Sequence, residues 1–127
     1  MADVVKVVNG GLAIITNRMI AGGTEPKWVD WGTGTTAALI TDTDLEFAAA
    51  EDRATGDSSR VTSTVENDTY QVVGTLTAEA ERAITEAGLY DAFETGNLFL
   101  RGTFDVINLN TDDSVVFTIK TAFSDGN

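Results

Sequence analysis

Two apolar runs near the C-terminal end, residues 97–107 and 114–123, separated by the polar loop 108–113, set the narrowest limits on how this chain can fold. In the first run Leu98, Leu100, Gly102, Phe104 and Val106 fall on one side of a two-residue repeat, with Phe99, Arg101, Thr103 and Asp105 on the other. In the second, Val115, Phe117, Ile119, Thr121 and Phe123 alternate with Val116, Thr118, Lys120 and Ala122. Successive side chains of a strand point to opposite faces, so burial of one face writes this alternation into the sequence. The pattern predicts two strands paired as a hairpin across the intervening loop.

Helical spacing occurs in one place, between Val4 and Ile20. Val8, Leu12, Ile15 and Met19 recur at intervals that line up on one side of a helix. Gly10 and Gly11 interrupt the stripe, and glycine in a helix interior costs about 1 kcal/mol relative to alanine. The helix is therefore expected to begin at the glycines with Asn9 as its cap, leaving residues 4–8 as a short strand or arm, and to stop at Gly22 and Gly23. Residues 1–23 thus read as an N-terminal arm or helix, and 24–127 as the β-rich body of a single domain.

Trp28, Asp30 and Gly32 alternate with Val29 and Trp31, predicting a short strand that runs into a Gly/Thr turn. A helical turn is expected from Thr41 or Asp42 to about Ala50, then an exposed polar loop over residues 51–59. Residues 60–65 and 69–76 predict a second hairpin around Glu66, Asn67 and Asp68, with Tyr70, Val72, Gly74 and Leu76 sharing a face. Residues 78–82 suggest one more helical turn, 83–89 a strand or turn, and 90–96 a loop. Five or six strands with one helix give a mainly β (α+β) fold class. The expected architecture is a two-layer antiparallel β-sandwich or small open barrel with an N-terminal helix.

Absent residue types exclude whole chemistries. The 127 residues contain no cysteine and no histidine. That removes disulfides, thiolate nucleophiles, the usual zinc ligands and every Ser–His or Cys–His pair. With 20 acidic against 8 basic residues the formal charge is −12. Phosphate backbones and anionic lipids require clustered Lys and Arg, so nucleic acid and membrane surfaces are not expected partners. No stretch approaches the roughly 20 apolar residues of a membrane-spanning helix, and the first residues lack the basic-then-apolar order of a secretory signal.

The remaining motifs fail on inspection. Gly32-x-Gly34 lacks both the third glycine of a dinucleotide fingerprint and the Lys-Ser/Thr of a P-loop. Asp42, Asp44 and Glu46 have the spacing of a calcium loop, but the sixth and twelfth positions hold Phe47 and Arg53 in place of Gly and Glu. The carboxylate pairs Glu79/Glu81 and Asp112/Asp113 sit in polar stretches, and Lys120 falls on the polar face of its strand. No enzyme activity, cofactor, metal or small-molecule substrate is expected.

Three segments carry a family resemblance when read together. The first runs from Gly23 to Trp28, then Trp31-Gly32-Thr33-Gly34-Thr35-Thr36 and Thr41-Asp42-Thr43-Asp44-Leu45. The second is Arg60-Val61-Thr62 with Asn67-Asp68-Thr69-Tyr70-Gln71-Val72-Val73. The third is Ile84-Thr85-Glu86-Ala87-Gly88-Leu89-Tyr90-Asp91-Ala92 with Gly96-Asn97-Leu98-Phe99-Leu100-Arg101-Gly102-Thr103-Phe104. In this order they resemble small virion proteins of tailed bacteriophages, most closely capsid decoration (cement) proteins. Some tail-fibre and tail-collar proteins look similar. The chain departs from the pattern at Phe47–Ala50, where a more acidic stretch is usual, and it lacks the long shaft of a full fibre subunit.

The resemblance implies a non-enzymatic structural protein, made in the host cytoplasm and carried on the outer surface of the virion capsid. Its implied partners are the major capsid protein and further copies of itself, as a dimer or trimer. A tail, neck or fibre-associated part (collar, adaptor or receptor-binding module) is the alternative. Interface candidates are Leu12, Ile15 and Met19 of the helix and the aromatic residues Trp28, Trp31 and Phe99, since aromatic side chains dominate buried contact energy. Burial in the chain's own core is the competing reading for each.

Overall fold

A computed structural model describes residues 4–125. The described chain runs β1 (Val4–Val7), α1 (Asn9–Met19), β2 (Trp28–Gly32), β3 (Ala54–Thr55), β4 (Asp57–Val61), β5 (Thr69–Thr77), β6 (Arg82–Tyr90), β7 (Leu98–Leu109) and β8 (Ser114–Ala122). Five strands form one sheet in the order β1-β7-β6-β2-β3, and three form a second in the order β4-β5-β8. Every pairing is antiparallel. The fold is therefore mainly β, two antiparallel sheets with one N-terminal helix, as the alternation predicts.

The sheets meet over a core of Val29, Trp31, Val72, Leu76, Ile84, Leu89, Phe99 and Leu100. Trp31 meets Phe117 edge-on at 6.4 Å between ring centres, and Tyr70 meets Phe99 at 6.5 Å. Both contacts bridge the two layers. Full burial of a side chain of this size contributes about 1.5–3 kcal/mol, so this seam holds the layers together.

Strand β5 keeps the expected face, with Val72, Gly74 and Leu76 buried between more exposed neighbours. Strand β8 does likewise, its half-buried Val115, Phe117, Ile119 and Thr121 alternating with exposed residues. The expected hairpin between residues 97–107 and 114–123 does not form. β7 pairs with β6 and β1, whereas β8 pairs with β5 in the other sheet. The turn decides this. Asp112 N–H donates to Ala78 O at 2.7 Å, and Ala78 N–H donates to Asp113 O at 2.8 Å. These bonds staple the turn to the end of β5, so the strand leaving it zips onto β5 from Thr77↔Ser114 onward. The first half of β7 lies inside its sheet, where Phe99, Arg101 and Thr103 are as buried as Leu98 and Leu100.

Helix α1 exists, with its buried face turned from the expected stripe. Gly11 and Ile14 are buried and Ile15 packs against the core, while Leu12 and Met19 are exposed. The cause is Gly11. A Cβ there would collide with the carbonyl oxygen of Phe99, so the missing side chain lets the helix lie directly on β7. Val8, and not Asn9, occupies the N-cap, without a side-chain bond. The helix ends through Ala21 in the left-handed region (φ 62), with Gly22 N–H donating to Asn17 O at 2.7 Å.

Other boundaries shift as well. Residues 41–50 form no helical turn, and 51–59 carry β3 and the start of β4 in place of one open loop. The second hairpin forms, but its strand ends at Val61 and its connection spans residues 62–68. Residues 78–82 form no helical turn either. Arg82–Tyr90 is one strand, buried from Ile84 onward because Ile84 and Leu89 pack in the core and the loop between β2 and β3 covers Thr85 and Glu86.

Candidate functional site

The surface beside α1 holds a groove of about 380 Å3. Ile14, Ile15, Met19, Pro26, Phe99 and Phe123 give it apolar walls, with Tyr70 in the lining and Arg18 and Glu25 as its charged residues. Its position follows from the helix rotation just described. Because Gly11 seats the helix on β7, Ile14 and Ile15 reach down towards Phe99 while Met19 stays at the mouth.

Polar groups at the groove are held in place. The Tyr70 hydroxyl donates to Pro26 O at 2.7 Å and approaches Glu25 Oε1 at 3.2 Å. Burial, with the Glu25 carboxylate beside it, pushes the Tyr70 phenol well above its ordinary range, so it stays a neutral donor. Arg18 Nη1 donates to Gly23 O at 3.1 Å, which also closes the end of the helix. With its tyrosine protonated and bonded, the groove is suited to holding an apolar side chain.

Of the residues expected at an interface, Ile15, Met19 and Phe99 line this one groove. Leu12 is on the same helix, 57% exposed, and outside the lining. Trp28 is elsewhere, half-buried against Val8, Leu45, Tyr90 and Leu98. Trp31 is fully buried, its indole N–H donating to Glu51 Oε1 at 2.8 Å. For Trp31 and for Phe99, which is 2% exposed, the structure shows burial in the chain's own core. Sequence reasoning missed Tyr70, Pro26 and Phe123 as neighbours of α1. Tyr70 and Phe123 each sit on the apolar side of a strand alternation, which signals an inward face without saying what it meets.

The residues of the calcium-like spacing are all engaged inside the protein. Asp42 takes Arg101 Nη1 at 3.0 Å, Asp44 accepts the Tyr90 hydroxyl, and Glu46 accepts the N–H groups of Thr35 and Thr36 at 2.9 and 3.0 Å. The three carboxylates diverge, each to partners of its own. Among the described residues no group of three or more Asp or Glu is placed to hold a metal ion. Glu86, fully buried, accepts Gly34 N–H at 2.7 Å, Glu46 N–H and Phe47 N–H at 2.8 Å, and Arg101 Nε at 2.8 Å. This network pins the long loop between β2 and β3 against the sheet. Its lone pairs are used structurally.

No protein-family model, no curated protein and no solved structure matches this chain.

Proposed function

We propose that this chain is a non-enzymatic building block of a virion: a tailed-phage capsid decoration protein that homo-oligomerises, binds the outer surface of the head and clamps neighbouring major capsid subunits. The observation that carries the building-block reading is the apolar ridge and groove at α1. Met19 and Ile20 are 80% and 79% exposed at one end of the helix, beside a groove of about 380 Å3, on a chain of net charge −12. Exposed apolar residues beside an apolar groove are suited to being covered by a second surface. The phage assignment rests on the sequence resemblance of the segments from Gly23 onward. The acidic charge supports an outer location, away from packaged DNA.

Titrating the pure protein onto undecorated capsids tests this. Saturable binding at hundreds of copies per shell, a higher shell melting temperature and loss of both with Met19→Glu are expected. Absence of binding overturns the decoration role. A dozen or fewer copies per virion, confined to the neck or tail, selects the collar, adaptor or receptor-binding alternative.

A further inference from the structure

Among the described residues the two sheets have four edges, and three of them are blunted. β1 is four residues long and carries Lys6, β3 is two residues long, and β4 is five residues long with Asp57 and Arg60. The fourth edge, β8, is nine residues, Ser-Val-Val-Phe-Thr-Ile-Lys-Thr-Ala, in unbroken register with β5. Natural sheets protect free edges with shortness, charge, proline or bulges, because an open edge pairs with any compatible strand. β8 has one charge, Lys120, and none of the other devices.

The hydrogen-bonding direction of this edge follows from its two ends. Phe123 N–H donates to Asp68 O, and Ala78 N–H donates to Asp113 O. In an antiparallel ladder such directly bonded pairs recur at every second residue. Residues 115, 117, 119 and 121 therefore turn their backbone groups towards β5. Ser114, Val116, Thr118, Lys120 and Ala122 turn theirs outward, and among the described residues no strand pairs with them. Beside this edge runs an open groove of about 440 Å3 lined by Phe104, Ile107, Val115, Val116, Phe117 and Thr118, with Asp105 as its charged residue.

We propose that β8 pairs antiparallel with β8 of a second copy, about a two-fold axis at Thr118, joining two three-stranded sheets into one of six. The strand is self-complementary about that point. Thr118 faces Thr118, Val116 faces Lys120, and on the inner side Phe117 faces Ile119 and Val115 faces Thr121. Electrostatics selects a like copy for this edge over the rest of the surface. Two chains of charge −12 repel almost everywhere, but the outer face of β8 and its neighbour β5, which includes Gln71, Val73, Thr75, Val116, Thr118 and Lys120, carries no acidic residue. The pairing also sets Lys120 of the second copy opposite Val116, at the groove that Asp105 lines. A nine-residue edge is about 30 Å long. Its contact falls short of the roughly 800 Å2 per partner of a standard interface, so the dimer forms at high concentration. The inference deepens the homo-oligomer part of the proposed function and rests on it, while capsid binding is measured independently.

Sedimentation velocity from 1 µM to 1 mM (about the range in which so short an interface saturates), with hydrogen exchange of β8 at both ends of the range, tests the pairing. The wild type is expected to dimerise with rising concentration and to protect the amides of Val116, Thr118 and Lys120 as it does so. Thr118→Pro removes an outward N–H, which a free edge tolerates and a paired one does not. Thr118→Glu sets two carboxylates directly opposite across the axis, and on this exposed face it leaves the fold in place should the proline variant not fold. Both are expected to stay monomeric at every concentration. A wild type that remains monomeric, or an oligomer that persists in either folded variant, overturns the proposal.

Discussion

Glu86 and Arg101 meet at 2.8 Å between adjacent strands, both side chains almost wholly removed from solvent. Main chain satisfies the rest of Glu86, and main chain together with the Asp42 carboxylate the rest of Arg101. Glu86 takes three backbone N–H groups, and Arg101 donates to Thr36 O at 2.9 Å and to Asp42. The pair is therefore a clamp on the loop between β2 and β3 more than an isolated ion pair.

Removing one partner leaves the other charged and buried. Arg101→Met is expected to lower unfolding free energy by about 3–5 kcal/mol, read by urea denaturation. A buried ion pair replaced on both sides by apolar residues often recovers its stability. Here Glu86→Leu combined with Arg101→Met is expected not to recover, because the N–H groups of Gly34, Glu46 and Phe47 lose their acceptor. Recovery to wild-type stability would show that the loop does not depend on the carboxylate.

The seat of α1 on β7 gives a second expectation. Gly11→Ala places a Cβ against the main-chain oxygen of Phe99, which has little room to give. A cost of about 1–3 kcal/mol is expected despite the better helix propensity of alanine. Leu12→Ala, one residue further on and exposed, is expected to stay within about 0.5 kcal/mol. Thermal melts of the two variants make the comparison, and equal melting temperatures would place the helix elsewhere.

Asp30 makes stability depend on pH. Burial pushes its carboxyl up from 3.8 to about 6, against the Trp31 N–H bond and the nearby Arg53 guanidinium, which pull it down. A folded value above the unfolded one means that the folded state holds the proton more tightly. The contribution is full below pH 4 and is lost as pH rises through about 6. Its size is on the order of 2–3 kcal/mol. Asp30→Asn is expected to flatten the stability profile between pH 4 and 6 and to exceed the wild type at pH 7. A variant with an unchanged slope across that window would refute the assignment.

Asp68 has the opposite sign. N–H groups of Val65, Ser63 and Thr64 bond its carboxylate and, with the Thr69 hydroxyl, hold it well below the usual range. Its stabilisation is present above the ordinary aspartate value near pH 4 and disappears as pH falls further. Faster amide exchange of Ser63, Thr64 and Val65 is expected in Asp68→Asn at neutral pH. Unchanged exchange would mean that the turn holds without the carboxylate.

Strands with one wet face are legible in the amino-acid sequence. In β5 and β8 solvent meets every second side chain, and local alternation records that directly. In β6 and the first half of β7 the loop between β2 and β3 covers the second face, so polar Thr85, Glu86 and Arg101 are buried beneath it and read in the sequence as a polar face. The groove is half legible: Ile15, Met19 and Phe99 stand out as candidates, while their company with Tyr70 and Phe123 depends on which sheets stack.

Residue order alone is enough for the class of fold, the acidic surface and the exclusion of cysteine and histidine chemistry, because these follow from residue type and local period. Three-dimensional packing settles that β8 joins β5 across the Ala78 staple, that Gly11 turns the face of α1, and that Glu86 finds Arg101. Each of those depends on hydrogen bonds and close contacts between residues far apart in the chain, and periodicity carries no record of which distant partner satisfies a given group.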